Sequence, residues 1–321
     1  MLVPRRPLGR SGLSAAPLAL GGNVFGWTAN KDESFQVLEA FVSAGYNLID
    51  TADNYSIWKT GHRGGESEEI IGEWLLESGR RKDVLLATKV GMDMGLGGKG
   101  LSASHIARSA EASLRRLRTG RIDLYQAHVD DPTVPIEETL EAFSTLVDRG
   151  QVGAIGASNY SAARLREALH TSADRGFRRF ESVQPRYNLI ERTDYEGELE
   201  NLARSEHLGV LAYSALADGF LTGKYRSRAD LGKSPRGARA APRLNERGLR
   251  ILVAVEEVAA RTASSAAAVA LAWVMARPGV TAPIASARSV DQLSQLLQAA
   301  ALNLSAESVQ LLDRASAGRP G

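Results

Sequence analysis

The chain has 321 residues, of which 44% are apolar and 24% charged, with a formal net charge of +2. That near-neutral balance argues against a broad nucleic-acid footprint. The lack of cysteine excludes disulfides, thiolate metal sites and a thiol nucleophile. The five histidines, His62, His105, His128, His170 and His207, show no HxxxH or HExxH pairing, so no metal centre is expected. The start, MLVPRRPLGRSG, is basic but lacks the apolar core of a signal peptide. The most apolar long stretch, Ala266 to Ala276, is about half of what a bilayer span needs. The composition predicts a cytoplasmic protein with no membrane partner.

In chain order, RRPLGRSGLSAAP reads as a short hairpin with its turn near Gly9 to Gly12, suited to closing the bottom of a barrel. PLALGG is the first strand of the main series. The helical pattern DESFQVLEAFVSAG follows, with Phe35, Leu38, Phe41 and Val42 at helical spacing. NLID precedes the helix SEEIIGEWLLESG, which ends at Gly79 where a C-cap is expected. DVLLATK precedes HIARSAEASLRRLR, and IDLYQAH precedes PIEETLEAFSTLVDRG, with Pro135 placed for the first turn. VGAIGAS leads to AARLREALHTSA, ESVQP to YEGELENLARSEH, and GVLAYSA to a long segment without helical period, roughly Ala217 to Gly248. TAPIAS is the last strand, followed by SVDQLSQLLQAA.

Eight β-like runs alternating with helices predict a parallel sheet, because parallel strands need crossovers of helical length. That number suits a single α/β domain over 1–321, a (β/α)8 TIM barrel with an N-terminal hairpin and a long loop after strand seven. In such a barrel the reactive groups come from the C-terminal strand ends. Asp50, Lys89 and His128 lie there on three consecutive strands, with Tyr55 close behind Asp50. Ser158, Gln184 and Tyr213 lie there on the next three. The strand-seven loop carries nine Lys/Arg against two acids between Lys224 and Arg250. It reads either as a clasp for a phosphorylated ligand or as a solvated loop.

The four groups suit carbonyl chemistry. A phenol with a pKa of about 10 is a weak acid; a nearby ammonium lowers that value, and a carboxylate keeps the ammonium charged and in place. A histidine adds a hydrogen bond to the substrate oxygen. Reduction of a carbonyl fits this set, provided that a nicotinamide cofactor supplies the hydride. Each residue alone has a plainer reading: a packing tyrosine, a solvent-facing or Schiff-base lysine, a core histidine, a turn aspartate. Their coincidence at one end of one predicted barrel favours a shared site.

These motifs resemble the aldo-keto reductases over nearly the whole chain, through NLIDTADNY, GGESEEIIGEWL, LLATKV, IDLYQAHVDDPTVPIEETLEAF, VGAIGASNY, VQPRYNLIER, GVLAYSALADGFLTGKY and APIASARSVDQL. The resemblance implies Asp50, Tyr55, Lys89 and His128 as a catalytic tetrad with Tyr55 as the acid. It implies Ser158, Asn159 and Gln184 on the nicotinamide carboxamide, Tyr213 stacked on the ring, and Ser214, Leu216 and Gly219 along the pyrophosphate with Lys224 nearby. Ser286, Arg288 and Gln292 would hold the adenosine end. Arg288 would take the 2′-phosphate, so NADPH/NADP+ is the implied cofactor. Ser286 stands where a glycine is frequent, and Leu296 where an asparagine often contacts adenine.

The substrate is expected to be a small-molecule carbonyl compound, in a pocket shaped by Trp27, Trp58, Met92 and Val129. A GxGxxG match at Gly95 to Gly100 lacks the strand-turn-helix context of a dinucleotide fingerprint and reads as a loop. Two other functions stay open: an NADPH-binding regulatory subunit, since the family is similar to potassium-channel β subunits, and a Schiff-base aldolase acting through Lys89.

Overall fold

In the computed structural model of the protein, which describes residues 3–318, the chain enters through a hairpin of β1 (Arg6–Pro7) and β2 (Ser14–Ala15). Met1, Leu2 and the last three residues of the expected 1–321 domain lie outside the described residues. Gly9 and Gly12 have φ of 60° and 76°, the left-handed values that the tight turn requires. The turn points Leu8 into the sheet, where it is fully buried.

Eight strands then form a closed parallel barrel. They are β3 (Ala19–Gly21), β4 (Leu48–Asp50), β5 (Leu85–Val90), β6 (Ile122–Ala127), β7 (Val152–Ser158), β8 (Phe180–Gln184), β9 (Gly209–Ala212) and β10 (Val280–Ala285). Neighbours pair in sequence order, and β10 pairs with β3 to close the ring. Every strand predicted from the sequence is present.

The alternation along each strand sorts residues to two sides. Leu48, Ala87, Leu124, Ala154, Leu211 and Ala282 face one another inside the barrel with Leu8 beneath them. Ile49, Leu86, Tyr125, Ile155, Val183 and Val210 belong instead to the larger core shared with the surrounding helices. The interior layer is rich in alanine, and Leu8 supplies the bulk that those small side chains leave out.

The helices α1 (Lys31–Ser43), α2 (Glu66–Ser78), α3 (Ala103–Arg116), α4 (Ile136–Asp148), α5 (Ala162–Arg175) and α6 (Glu198–Ser205) follow β3 to β8 in turn. Asn30 and Glu33 make a reciprocal capping box at the start of α1, and Gly79 ends α2 in the left-handed conformation expected of it. Pro135 sits one position earlier than its predicted place, immediately before α4.

After β9 the long loop is not featureless. It folds through short turns of 3-10 helix at Ala217–Thr222, Arg228–Lys233 and Ala241–Arg243, and through the one-turn α7 (Gly237–Ala240). Helices α8 (Glu246–Arg261) and α9 (Ala266–Met275) complete this crossover, and α10 (Val290–Leu297) and α11 (Ala306–Ser316) follow β10. Residues Ala267 to Met275 of α9 are all buried, which explains a hydrophobic run without a polar face. No single helix among the described residues is long and apolar enough to cross a membrane.

Candidate active site

Two residues beyond the barrel's apolar layer, the inward-facing positions turn polar. Asp50 follows Leu48, Lys89 follows Ala87, Gln126 follows Leu124, Gln184 follows Ser182 and Tyr213 follows Leu211. On these five strands the period of two therefore delivers one polar side chain each to the same end of the barrel.

Lys89 is fully buried and uses all three of its donors. Its Nζ donates to Asp50 Oδ2 at 2.6 Å, to the Thr51 carbonyl at 2.8 Å and to the Tyr55 hydroxyl at 3.1 Å. Burial pulls the ammonium pKa down, but Asp50 and Tyr55 beside it outweigh that and hold it above its ordinary value. A Schiff-base lysine needs a free neutral amine, and this environment opposes one.

Asp50 is tied on its other oxygen as well. Gln184 Nε2 donates to Asp50 Oδ1 at 2.9 Å and Gln126 Nε2 does so at 3.3 Å. Gln126 was not anticipated as a site residue, although its inward position two residues before His128 in IDLYQAH is the signal that could have found it.

The phenol of Tyr55 differs from expectation. The sequence predicts a pKa lowered by Lys89, whereas the net shift is upward, because burial penalises the phenolate more than Lys89 stabilises it. Tyr55 thus keeps its proton at neutral pH.

His128 lies with its ring centroid 6.0 Å from that of Tyr55, edge to face at 72°. Burial, and then the charge of Lys89, push its imidazole well below the usual range, so it is neutral near pH 7. Its Nδ1 has no hydrogen-bond partner among the described residues.

A cavity of about 1050 Å³ opens from these groups along the strand ends. Asp50, Tyr55, His128, Ser158, Asn159, Gln184, Tyr213, Ser214, Leu216, Gly219, Lys224, Ser286, Arg288 and Gln292 all line it. Lys89 lies beneath its floor, reaching it through Tyr55.

Of the residues expected around a substrate, Trp58 and Met92 line the cavity and are 39% and 38% exposed. Trp27 stands behind Trp58, edge to face at 5.5 Å, and Val129 is half-buried beside His128. Neither is part of the cavity lining. The Gly95 to Gly100 segment is a loop with a short 3-10 turn, and α3 begins only after Ser102.

Several contacts inside the cavity restrict what a ligand can meet. Gln184 Nε2 is committed to Asp50 and to Gln126 Oε1, leaving its carbonyl oxygen as the group facing outward chemistry. Tyr213 donates to Asn159 Oδ1 at 2.8 Å, and Asn159 Nδ2 donates to the His128 carbonyl and to Ser158 Oγ. Asn159, Ser214, Ala217 and Asp218 all take positive φ without being glycine, a backbone cost usually met at functional turns. A side chain on Gly219 would crowd Lys224 Nζ at 3.0 Å.

The cations around the cavity fall into two groups. Arg243 pairs with Glu191 at 2.7 Å and Asp218 at 3.0 Å, a structural tie. Lys224, Arg236 and Arg288 line the cavity and form no salt bridge among the described residues. Arg236 instead donates to Asn23 Oδ1 at 3.2 Å and lies over the Trp27 ring at 5.6 Å. Ser286 Oγ donates to the same Asn23 oxygen at 2.7 Å. Arg236 and Asn23 were not singled out in the sequence, where Arg236 is one cation among nine in its loop. Leu296 is buried in the cavity wall, and Gln292 Oε1 accepts the backbone N–H of Arg288.

The profile described as "Aldo/keto reductase family" matches residues 17–317. An "Uncharacterized oxidoreductase YrpG" of Bacillus subtilis is 37% identical over 95% of this chain and 94% of its own length. A "Probable voltage-gated potassium channel subunit beta" of Oryza sativa is 33% identical, covering 91% of this chain and 89% of that protein. "Norsolorinic acid reductase B" of Aspergillus parasiticus is 31% identical over 96% of this chain and 83% of its own length.

Proposed function

The chain belongs to the aldo/keto reductase family, and on that premise we propose that it is an NADPH-dependent reductase of aldehydes or ketones with Tyr55 as proton donor. The observation that carries this reading is the buried Asp50–Lys89–Tyr55 chain of hydrogen bonds opening beside a neutral His128.

The residues present fit a phosphorylated dinucleotide. Lys224, Arg236 and Arg288 are cations in the cavity wall without a salt bridge among the described residues, the donor set that phosphate oxygens need. Asn159 and the outward oxygen of Gln184 suit a carboxamide, and Tyr213 a flat ring. When bound, the cofactor supplies the hydride that no side chain can.

The chain's own residues handle the substrate oxygen. Tyr55 presents its hydroxyl proton to the oxygen that gains negative charge. Lys89, held charged by Asp50, stabilises the phenolate left behind. His128, neutral, has an N–H to donate to the same oxygen without adding a competing acid. Trp58 and Met92 offer apolar surface at the mouth for the body of the carbonyl compound.

The test is NADPH consumption with aromatic aldehydes, sugar-derived aldehydes, α-dicarbonyls and ketosteroids. Turnover is expected with at least one class, and Tyr55→Phe should lower it by about 10²- to 10⁴-fold while NADPH binding is kept. Retained turnover in that variant would remove Tyr55 as the donor. The relatives named as channel subunits support a second reading, an NADPH-binding regulatory subunit, which tight NADPH binding without turnover would favour.

A further inference from the structure

On the outer face of the barrel wall, behind Lys89 and Tyr55, lies a second set of buried polar groups that the proposed reaction leaves unused. Thr88 and Tyr125 alternate with Lys89 and Gln126 along β5 and β6, so their side chains point away from the barrel axis toward the helices. Glu68 on α2 is fully buried there. It accepts from Thr88 Oγ1 at 2.6 Å and from Arg116 of α3 at 2.6 Å.

Asp53 faces the same space. It is 2% exposed, and its Oδ1 has no hydrogen-bond partner among the described residues. The fully buried hydroxyl of Tyr125 has none either. The backbone N–H of Asp53 donates to the Lys89 carbonyl at 3.2 Å, and Asp53 precedes Tyr55 by two residues. Asp53 sits in the segment that leads to Tyr55 and ties it to β5 through its backbone N–H on the Lys89 carbonyl, while Glu68 holds the same strand through the Thr88 side chain.

The charges do not balance if both carboxyls are ionised. The groups around Asp53 are Glu68 from α2, Arg116 from α3, Lys89 from β5 and Tyr125 from β6. Arg116 is committed to Glu68, and Lys89 to Asp50. Two buried carboxylates sharing one guanidinium favour a proton on the less well partnered of them. That one is Asp53.

We propose that Asp53 is a positioning residue in its acid form, packed between Glu68 and β5 so as to hold the Asp50 to Tyr55 segment in register with Lys89. Once ionised, it competes with Glu68 for Arg116 and draws on Lys89, disturbing both supports of Tyr55. The functional half of this inference rests on the reading of Tyr55 as proton donor; the protonation half does not. Burial, and then Glu68, push the Asp53 carboxyl up to about 8, in agreement with the charge count.

Unfolded Asp loses its proton near pH ~3.9, whereas the folded chain keeps it to about 8. Across that window the folded state binds the extra proton, so the contribution of Asp53 to stability falls as pH rises and levels off above it.

Thermal melts of the full chain and of Asp53→Asn, taken across that pH range, test the proposal without any substrate. The expected result is that the variant gains on the natural chain with rising pH, up to a plateau. A pH-independent gap, or a variant that loses ground at neutral pH, would overturn it. Carboxyl-¹³C aspartate NMR on the natural chain needs no variant: one aspartate should titrate near 8, and its absence would overturn the proposal. With a substrate in hand, Asp53→Asn should move the alkaline limb of kcat upward by at least about tenfold in proton concentration, or ~1.4 kcal/mol, with KM little changed. An unmoved limb would overturn the positioning role. Absence of turnover in the natural chain would strike the reductase reading, and the melts and NMR would still decide the state of Asp53.

Discussion

Lys89 shows how much one side chain can organise. Its three acceptors belong to Asp50, Thr51 and Tyr55, so a single ammonium joins a strand end, the turn beyond it and the phenol. Arg288 works under the opposite conditions. It is exposed at the cavity rim, with its backbone fixed by Gln292 and its guanidinium free of salt bridges among the described residues. If it reads a 2′-phosphate, Arg288→Ala should weaken NADPH at least about tenfold more than NADH, ~1.4 kcal/mol of discrimination. Fluorescence titration with each cofactor measures this, and equal losses would show that Arg288 does not read that phosphate.

Between elements, glycines set the closest approaches. Gly72, in the middle of α2, packs on the end of α3, and a Cβ there would stand 2.1 Å from the Arg116 carbonyl oxygen. Alanine would gain about 1 kcal/mol of helix propensity, but backbone cannot retreat as a flexible side chain can, and overpacking of this kind costs about 1–3 kcal/mol. Gly72→Ala is therefore expected to lower stability in denaturant melts; a rise would mean that α2 can slide away from α3. The strand-seven loop depends on similar contacts. Gly237 and Gly248 abut the carbonyls of Leu231 and Arg243, a packing with no repeating period. This is why the segment looked structureless in the sequence, although it holds several short helical turns. Helix α9 was missed as a helix for the reverse reason: buried on all sides, it has no polar face for a period to reveal.

Across the whole molecule, the barrel depends on its hairpin. Leu8 belongs to one buried cluster with Ala15, Ala19, Leu48, Ala87, Leu124, Ala154, Leu211 and Ala282, and Gly209 lets it approach, since a Cβ there would meet Leu8 Cδ1 at 2.6 Å. Leu8→Ala should cost about 2–5 kcal/mol in chemical denaturation while leaving the rate of any turnover intact, because the plug lies at the end of the barrel opposite the cavity. A loss below about 0.5 kcal/mol, the range of ordinary surface substitutions, would show that the barrel bottom does not need it.

The order of strands and helices, the barrel they imply and the polar residues at the strand ends were legible in the sequence, because period, capping and turn chemistry act locally. Asp50, Tyr55, Lys89 and His128 were visible for that reason. Other features appear only when distant segments meet. Gln126 and Gln184 converge on Asp50 from positions 76 and 134 residues away. Arg236 crosses to Asn23 over 213 residues. The pKa of Tyr55 was misjudged for the same reason: the cation beside it can be guessed from the motif, but the burial that outweighs the cation is a property of the closed barrel. Asp53 was not singled out in the sequence, because its surroundings exist only once α2 and α3 enclose it with Glu68 and a single guanidinium. Sequence determined which groups reach the strand ends; tertiary structure decided their partners and their protons, because desolvation and charge balance depend on everything packed around a group.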